Sequence, residues 1–131
     1  MKTLFLSITL SLFTISLWSQ DNQKISTLEF VQVLEDNTEE TLFYYHNNWE
    51  QLRKSAIKNG YIDSYELMLV FDTESDYQII LKTTYKNQTQ YDKRETHFQK
   101  LIENHGALKL LNDKKPKEFR KTLFGSEVKH L

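Results

Sequence analysis

The spacing of apolar residues changes along the chain, and each change predicts a new element. Residues 25–34 carry apolar side chains on both faces of an alternating pattern, which predicts a first strand covered on both sides. Asn37 and Glu40 then match a capping-box pattern, which predicts the start of a helix that continues to about Lys58. Its core-facing stripe is predicted to consist of Leu42, Tyr45, Trp49, Leu52 and Ala56.

In the second half of the chain, strand and helix patterns again follow one another. Residues 61–71 and 77–85 return to alternation, and the short segment between them predicts a hairpin. A second helix is predicted over residues 87–105, because helical spacing resumes there and Gly106 follows. Residues 120–131 predict a fourth, weaker strand.

The order βαββαβ predicts an α+β fold, a ferredoxin-like sandwich. Such a domain has a four-stranded antiparallel sheet with two helices on one face. The predicted strands also carry apolar residues on the opposite face, which a single copy would leave in water. We therefore expect a twofold homodimer, sheet against sheet, that forms an α+β barrel.

The N-terminal segment predicts export rather than a fold element. An apolar run over residues 4–18, followed by the small residue Ser19, predicts a signal peptide over residues 1–19. A transmembrane anchor is the alternative, but the run is shorter than the ~20 residues that a span needs, and polar residues 21–24 follow. Residues 20–131 are then expected to form a single soluble domain, periplasmic or extracellular, without a membrane partner.

Composition excludes several kinds of chemistry. The chain has no cysteine, so disulfides, thiol nucleophiles and cysteine-ligated metal sites are excluded. The net charge is −1, which argues against a nucleic-acid partner. The four histidines show no metal-binding motif, although His46 and Glu50 are four residues apart on the predicted helix. We expect neither a metal nor a cofactor.

One group of residues predicts a pocket. His46 and Arg53 are one heptad apart, and both fall in the apolar stripe beside Trp49 when a regular α-helix is assumed. A buried guanidinium needs a partner, and Glu66 on the next strand is a candidate. The group is therefore either a structural Arg53–Glu66 pair or a ligand pocket. In the pocket Arg53 would bind an anionic group, His46 would act as acid or base, and Tyr45 or Tyr65 would orient the ligand.

Several short stretches of the chain carry a resemblance to a known group of proteins. They are Asn48–Trp49, Arg53, Ala56, Gly60–Tyr61–Ile62, Ser64–Tyr65–Glu66–Leu67, Phe98, Leu110–Leu111–Asn112–Asp113, Pro116 and Phe119–Arg120. Together with the predicted element order, they resemble the dimeric α+β barrel superfamily, which includes antibiotic-biosynthesis monooxygenase-like and NIPSNAP-like domains, and within it some uncharacterised small secreted bacterial proteins. The resemblance implies a dimer with a pocket between helices and sheet. It implies no catalytic residues, because the metal- and haem-ligand patterns of enzymatic relatives have no match here.

Two classes of function remain open. The first is a non-enzymatic binding or interaction protein outside the cytoplasm, which holds a small, partly aromatic ligand that can be anionic near His46, Trp49 and Arg53. The second is a cofactor-independent enzyme of the monooxygenase-like type that uses the same pocket. The sequence favours the first class, because it offers no convincing nucleophile or acid–base pair.

Overall fold

The computed structural model describes residues 22–131 of the protein. Four strands form one sheet, and no helix in this range is long and apolar enough to cross a membrane. The elements in chain order are β1 (Ile25–Val33), α1 (Thr38–Tyr44), α2 (Glu50–Lys58), β2 (Ser64–Leu69), β3 (Ile79–Tyr85), α3 (Gln88–Asp92), α4 (Arg94–His105), α5 (Pro116–Phe119) and β4 (Arg120–Lys129). A π-helical turn, Tyr45–Trp49, joins α1 to α2, and residues 38–58 are called the first helix below.

The sheet has the strand order β2–β3–β1–β4, and every neighbouring pair is antiparallel. The first helix packs on one face of this sheet. There the buried side chains of Val31, Ile79 and Leu81 contact Tyr45 and Trp49 of the helix. The predicted ferredoxin-like sandwich is therefore confirmed.

A second apolar cluster lies at the far end of the first helix. Ala56, Ile62 and Tyr85 are buried there, and Phe98 and Leu101 of α4 pack against them. Because α4 contacts α2 at this end, the helices close the core here. The space between them opens at the opposite end, near the π-helical turn.

The start of the first helix differs from the predicted capping box. The Asn37 side chain does not accept a hydrogen bond from the helix; its Nδ2 donates to the carbonyl of Leu34, at 2.8 Å. Glu40 accepts a bond from Asn112 Nδ2 at 3.1 Å and pairs with Lys114 Nζ at 3.4 Å. Both residues therefore connect the helix to the segment before α5 instead of capping it.

Strand β4 covers Arg120–Lys129 of the predicted residues 120–131, and it is a fully paired strand instead of the weak one that was predicted. It pairs with β1 along the whole length of both strands, with one irregularity after Phe30. Just beyond its end, His130 Nε2 lies 2.7 Å from Ser26 Oγ, which also bonds to Thr84 Oγ1 at 2.7 Å. The C-terminal residues are therefore an integral part of the sheet.

The face of the sheet on which no helix of residues 22–131 packs, called the open face below, carries a cluster of apolar side chains. Phe30 and Phe124 stack there with ring centroids 4.4 Å apart, and Tyr77 contacts Phe30 edge-on at 4.9 Å. Phe124 stays 49% exposed, and a shallow depression of about 390 Å³ lies across the face. Its apolar side chains are Leu28, Phe30, Met68, Ile80, Phe124 and Val128.

Candidate functional site

A cavity of about 530 Å³ lies between the first helix, the C-terminal end of α4 and the sheet. It is referred to below as the helix–sheet cavity. Its size falls within the range typical of small-molecule sites. Apolar side chains form much of its wall. The polar or aromatic residues that decide its chemistry are Glu29, Tyr45, Asn48, Trp49, His105 and Arg120.

Three buried nitrogen atoms on residues that line this cavity have no hydrogen-bond partner within residues 22–131. They are Trp49 Nε1, His105 Nε2 and Arg120 Nε. A buried polar atom without a partner destabilises a fold, and native proteins rarely leave one. Three residues that line one cavity therefore each carry a buried nitrogen that no other described residue pairs with.

Arg120 lies against two tyrosines at the base of the cavity. Its guanidinium carbon is 5.1 Å from the ring centroid of Tyr44 and 5.8 Å from that of Tyr45, and its Nη2 donates to the Tyr44 hydroxyl at 3.4 Å. Burial raises the pKa of Tyr45, and the charge of Arg120 opposes that rise only in part. Tyr45 therefore stays a neutral phenol that can donate a hydrogen bond.

Glu29 places a carboxylate on the floor of the cavity. Its register partners are Leu81 on β3 and Gly125 on β4, so it lies on the helix-facing side of β1. Gly125 offers no side chain to cover it, and Glu29 remains exposed although it lies in a central strand. Sequence reasoning missed this residue. A signal was present in the sequence: Glu29 is a charged residue two positions before Val31, so both lie on the face of the strand that is directed to the core.

The π-helical turn positions Asn48 beside the loop that borders the cavity. Asn48 Oδ1 accepts from the backbone N–H of Lys109, and its Nδ2 donates to the Lys109 carbonyl, both at 2.8 Å. The same Nδ2 also donates to the carbonyl of Tyr44 at 2.9 Å. Asn48 thus fixes the wall of the cavity after Gly106, a glycine with a φ of 82°.

Three of the five residues predicted to form a pocket do lie together. The Trp49 and Tyr65 rings meet edge-on with centroids 5.7 Å apart, and the Arg53 guanidinium carbon lies 4.5 Å from the Trp49 centroid. On its other side Arg53 lies 4.3 Å from the centroid of Phe98, and its Nε donates to Thr83 Oγ1 at 3.2 Å. Burial lowers the pKa of Arg53 to about 10. Of these three residues, only Trp49 lines the helix–sheet cavity.

His46 does not lie in the apolar stripe. Its side chain is 54% exposed, and its Nδ1 lies 3.3 Å from Glu50 Oε1. The prediction assumed an uninterrupted α-helix between His46 and Arg53. The π-helical turn, Tyr45–Trp49, includes His46, and each of its residues turns the chain by less than an α-helical residue does, so the side chains of His46 and Arg53 do not share a face.

The predicted ion pair between Arg53 and Glu66 is also wrong. Glu66 lines the depression on the open face, where it lies 3.8 Å from Lys82 Nζ. Arg53 lies on the helix-facing side, and it has no carboxylate within 4.0 Å among the described residues. Aromatic rings and the Thr83 hydroxyl replace the expected carboxylate.

His105 and Arg120 were not predicted as site residues. His105 ends the predicted second helix, and Arg120 falls in the C-terminal strand. Neither position carries a sequence signal for a cavity, because the two residues come to line one cavity only through the folding of elements that are distant in the chain. Within residues 22–131, no group of three histidine or acidic side chains is arranged to hold a metal ion.

Comparison with solved structures places the chain among proteins of the same fold. HapK from Hahella chejuensis matches with a TM-score of 0.53 and 6% identity, over 82% of this chain and 92% of that one. A dabb family protein with a ferredoxin-like fold from Mesorhizobium loti matches with a TM-score of 0.50 and 12% identity, over 83% and 96%. A conserved protein of unknown function from Bacteroides thetaiotaomicron, named a possible oxidoreductase, matches with a TM-score of 0.50 and 14% identity, over 83% and 99%.

These likenesses confirm the predicted ferredoxin-like fold. At such low identity they carry no information on activity. No protein-family model and no curated protein matches the sequence.

Proposed function

We propose that the protein binds a small molecule in the helix–sheet cavity. The observation that supports this proposal is the set of three unpartnered buried nitrogens on Trp49, His105 and Arg120. A ligand oxygen placed among them would restore the hydrogen bonds that folding leaves unmade. The proposal assigns the protein a binding role and requires no catalytic step.

The cavity wall indicates the chemistry of the ligand. The indole N–H of Trp49 and the Nε–H of Arg120 are donors only, so the ligand needs acceptor oxygens facing them. Apolar contacts come from Leu52, Ile102 and Leu108, which favour an apolar or aromatic body. The ligand class is thus a small, largely apolar molecule that carries carbonyl or hydroxyl oxygen.

Prodan, a neutral naphthyl ketone whose emission moves to shorter wavelength out of water, tests the proposal. We expect saturable binding to the full mature protein. Trp49→Phe and Arg120→Met should each weaken the affinity about fivefold, since each removes one hydrogen bond. The melting temperature of each variant would show that it remains folded.

Met68→Gln on the open face is the matched control, because Prodan could also adsorb to that apolar surface. We expect it to leave the affinity unchanged. Absence of saturable binding, or equal losses for Met68→Gln and Trp49→Phe, would refute a ligand site in the cavity.

A second candidate function is a cofactor-independent enzyme of the monooxygenase-like type, and the position of Glu29 favours it. A carboxylate on the floor of the cavity would take a proton from a bound carbon acid, while the donors of Trp49 and Arg120 would hold the resulting oxyanion. Proton exchange of β-tetralone in deuterated water, followed by NMR, tests this role. Glu29→Gln should abolish any acceleration and leave Prodan affinity intact. No acceleration by the wild type would leave binding as the function.

We further propose that residues 1–19 are removed during export and that the mature domain acts as a homodimer outside the cytoplasm. Residues 1–19 lie outside the described part of the chain, so the support for export is the sequence pattern alone. The intact mass of protein recovered from a periplasmic extract tests it. A mass that corresponds to residues 20–131 is the expected result.

A further inference from the structure

A basic groove lies directly beside the helix–sheet cavity. It has a volume of about 430 Å³, and three lysines line it: Lys54 and Lys58 of α2, and Lys109 of the loop after α4. His105 lines both the groove and the cavity, so the two spaces are adjacent.

Two of these lysines are not paired with a carboxylate. Lys54 lies 3.8 Å from Glu50 and is compensated in part. Lys58 and Lys109 have no carboxylate within 4.0 Å among residues 22–131. No acidic residue lines the groove, so it presents an unbalanced positive field toward the cavity.

The rim of the cavity is apolar. Ile102 and Leu108 line it, and each is 53% exposed. Large apolar side chains at the mouth of a cavity commonly mark a contact surface for a ligand. The apolar body of a ligand could pass between these two side chains and extend from the cavity toward the lysines of the groove.

We propose that the molecule bound in the cavity is an amphipathic anion, with its apolar body inside and its charged end over Lys58 and Lys109. This inference rests on the proposed binding function and adds the charge and orientation of the ligand. Glu29 fixes the orientation, because a second negative charge placed on the cavity floor would be repelled. His105 lines both the cavity and the groove, so its ring would border both the apolar body and the charged end of the ligand.

Competition between bound Prodan and two probes that differ only at one end tests the inference. Decanoate carries a terminal negative charge, and decan-1-ol has the same chain length without it. We expect decanoate to displace Prodan at a concentration about fivefold lower than decanol, because exposed ion pairs contribute modestly. Raising the salt concentration should remove this preference, since both lysines are near solvent.

The double variant Lys58→Gln/Lys109→Gln should abolish the preference for decanoate and leave the affinity for decanol unchanged. Lys117→Gln/Lys121→Gln is the matched control, because it removes the same charge from exposed positions elsewhere. It should bind both probes like the wild type.

The other outcomes each contradict the inference. Equal displacement by the two probes would refute the anionic ligand and leave the cavity proposal standing. Failure of Prodan and of both probes to bind would refute both. If the Lys58→Gln/Lys109→Gln variant loses adsorption to phosphatidylglycerol vesicles but keeps the decanoate preference, the lysines serve a membrane surface instead of the cavity.

Discussion

Arg53 illustrates how a buried cation is accommodated without a carboxylate. Its guanidinium lies between the rings of Trp49 and Phe98, at 4.5 and 4.3 Å from their centroids, and bonds to Thr83. Aromatic faces attract a cation, and this attraction strengthens when water is excluded. Burial still lowers the pKa of Arg53 to about 10, because keeping the guanidinium charged away from water costs free energy.

We therefore expect Arg53→Met to be nearly neutral. It removes two cation–π contacts worth about 1–2 kcal/mol, but it also removes the cost of burying the charge, and the methionine stem retains the packing. The free energy of unfolding in urea should change by less than about 1 kcal/mol. Arg53→Ala is the comparison and should lose about 2–3 kcal/mol, because it also leaves a cavity. Equal losses would show that charge, not packing, is the stabilising part of Arg53.

His97 is a second residue whose surroundings oppose its charge. Its ring stacks on Tyr61 with centroids 3.8 Å apart, and its Nδ1 is buried without a partner among the described residues. Burial is the main cause that lowers the pKa of His97, and the charges of Lys100 and Lys93 act in the same direction. The unfolded chain therefore takes up a proton at this ring at a higher pH than the folded chain does.

This difference predicts a loss of stability in acid. As the pH falls below about 6.5, the ordinary pKa of histidine, the unfolded state binds a proton that the folded state excludes. The melting temperature of the wild type should fall more steeply between about pH 7.5 and pH 5.5 than that of His97→Phe, which keeps the stacked ring. His46→Gln, at an exposed position, should follow the wild type. Parallel profiles for all three proteins would contradict the assignment.

At the scale of single elements, the π-helical turn explains why the prediction placed His46 wrongly although it identified core-facing residues of the first helix. Leu42, Tyr45 and Trp49 were predicted to face the core, and all three are buried or partly buried. Spacing alone could not reveal the turn, because Tyr45 and Trp49 keep the four-residue spacing of an α-helix and the segment contains no glycine or proline. The projection that brought His46 beside Arg53 therefore used the wrong helical period.

The alternation of side chains along a strand rules out the predicted partner of Arg53. Tyr65 and Glu66 are adjacent in β2, so they must lie on opposite faces of the sheet. A partner for Arg53 on the helix-facing side could never have been Glu66. The same rule applied to β1 would have placed Glu29 among the core-facing positions, where a carboxylate indicates a site.

The role of the π-helical turn is tested by Asn48→Ala. The variant leaves the backbone N–H of Lys109 and the carbonyl of Tyr44 without their side-chain partners, which should lower the free energy of unfolding by about 1–3 kcal/mol. Hydrogen exchange over residues 106–110 should become faster. Asn47→Ala is the control, because that side chain bonds to the carbonyl of Phe43 only and does not reach the loop. Unchanged exchange in Asn48→Ala would show that the loop is held by other contacts.

At the scale of the whole molecule, the main feature is the open face, where apolar side chains of the sheet are exposed. It combines a stacked Phe30–Phe124 pair with the apolar side chains of Met68 and Ile80, and no helix within residues 22–131 covers it. Apolar patches of this kind usually mark an interface. A second copy related by twofold symmetry would cover the face with an identical one, which is the arrangement that the resemblance implies.

We expect the mature protein to sediment as a dimer, and Ile80→Glu to sediment as a monomer because it places a charge in the interface. Ile57→Glu is the control. Ile57 is 43% exposed on α2, away from the open face, and the substitution should leave the dimer intact. A wild-type monomer at micromolar concentration would refute the dimer and require another cover for the sheet.

The connectivity of the fold could be predicted because it depends on local signals, namely alternation, helical spacing and the glycines that end helices. The cavity could not, because it depends on residues that are far apart in the chain. Glu29, His105 and Arg120 belong to three elements, and only the sheet order β2–β3–β1–β4 and the packing of α4 bring them together.

The position of Trp49 gives the mature protein an intrinsic optical probe. The only other tryptophan, Trp18, falls within the predicted signal peptide, so the processed chain would contain a single indole at the cavity wall. Its ring is only 9% exposed and lies beside the Arg53 cation, while its N–H has no partner among residues 22–131. Indole emission responds to both burial and hydrogen bonding. Filling of the cavity should therefore change the near-ultraviolet spectrum of the unlabelled protein, and an unprocessed precursor would be distinguished by its second indole.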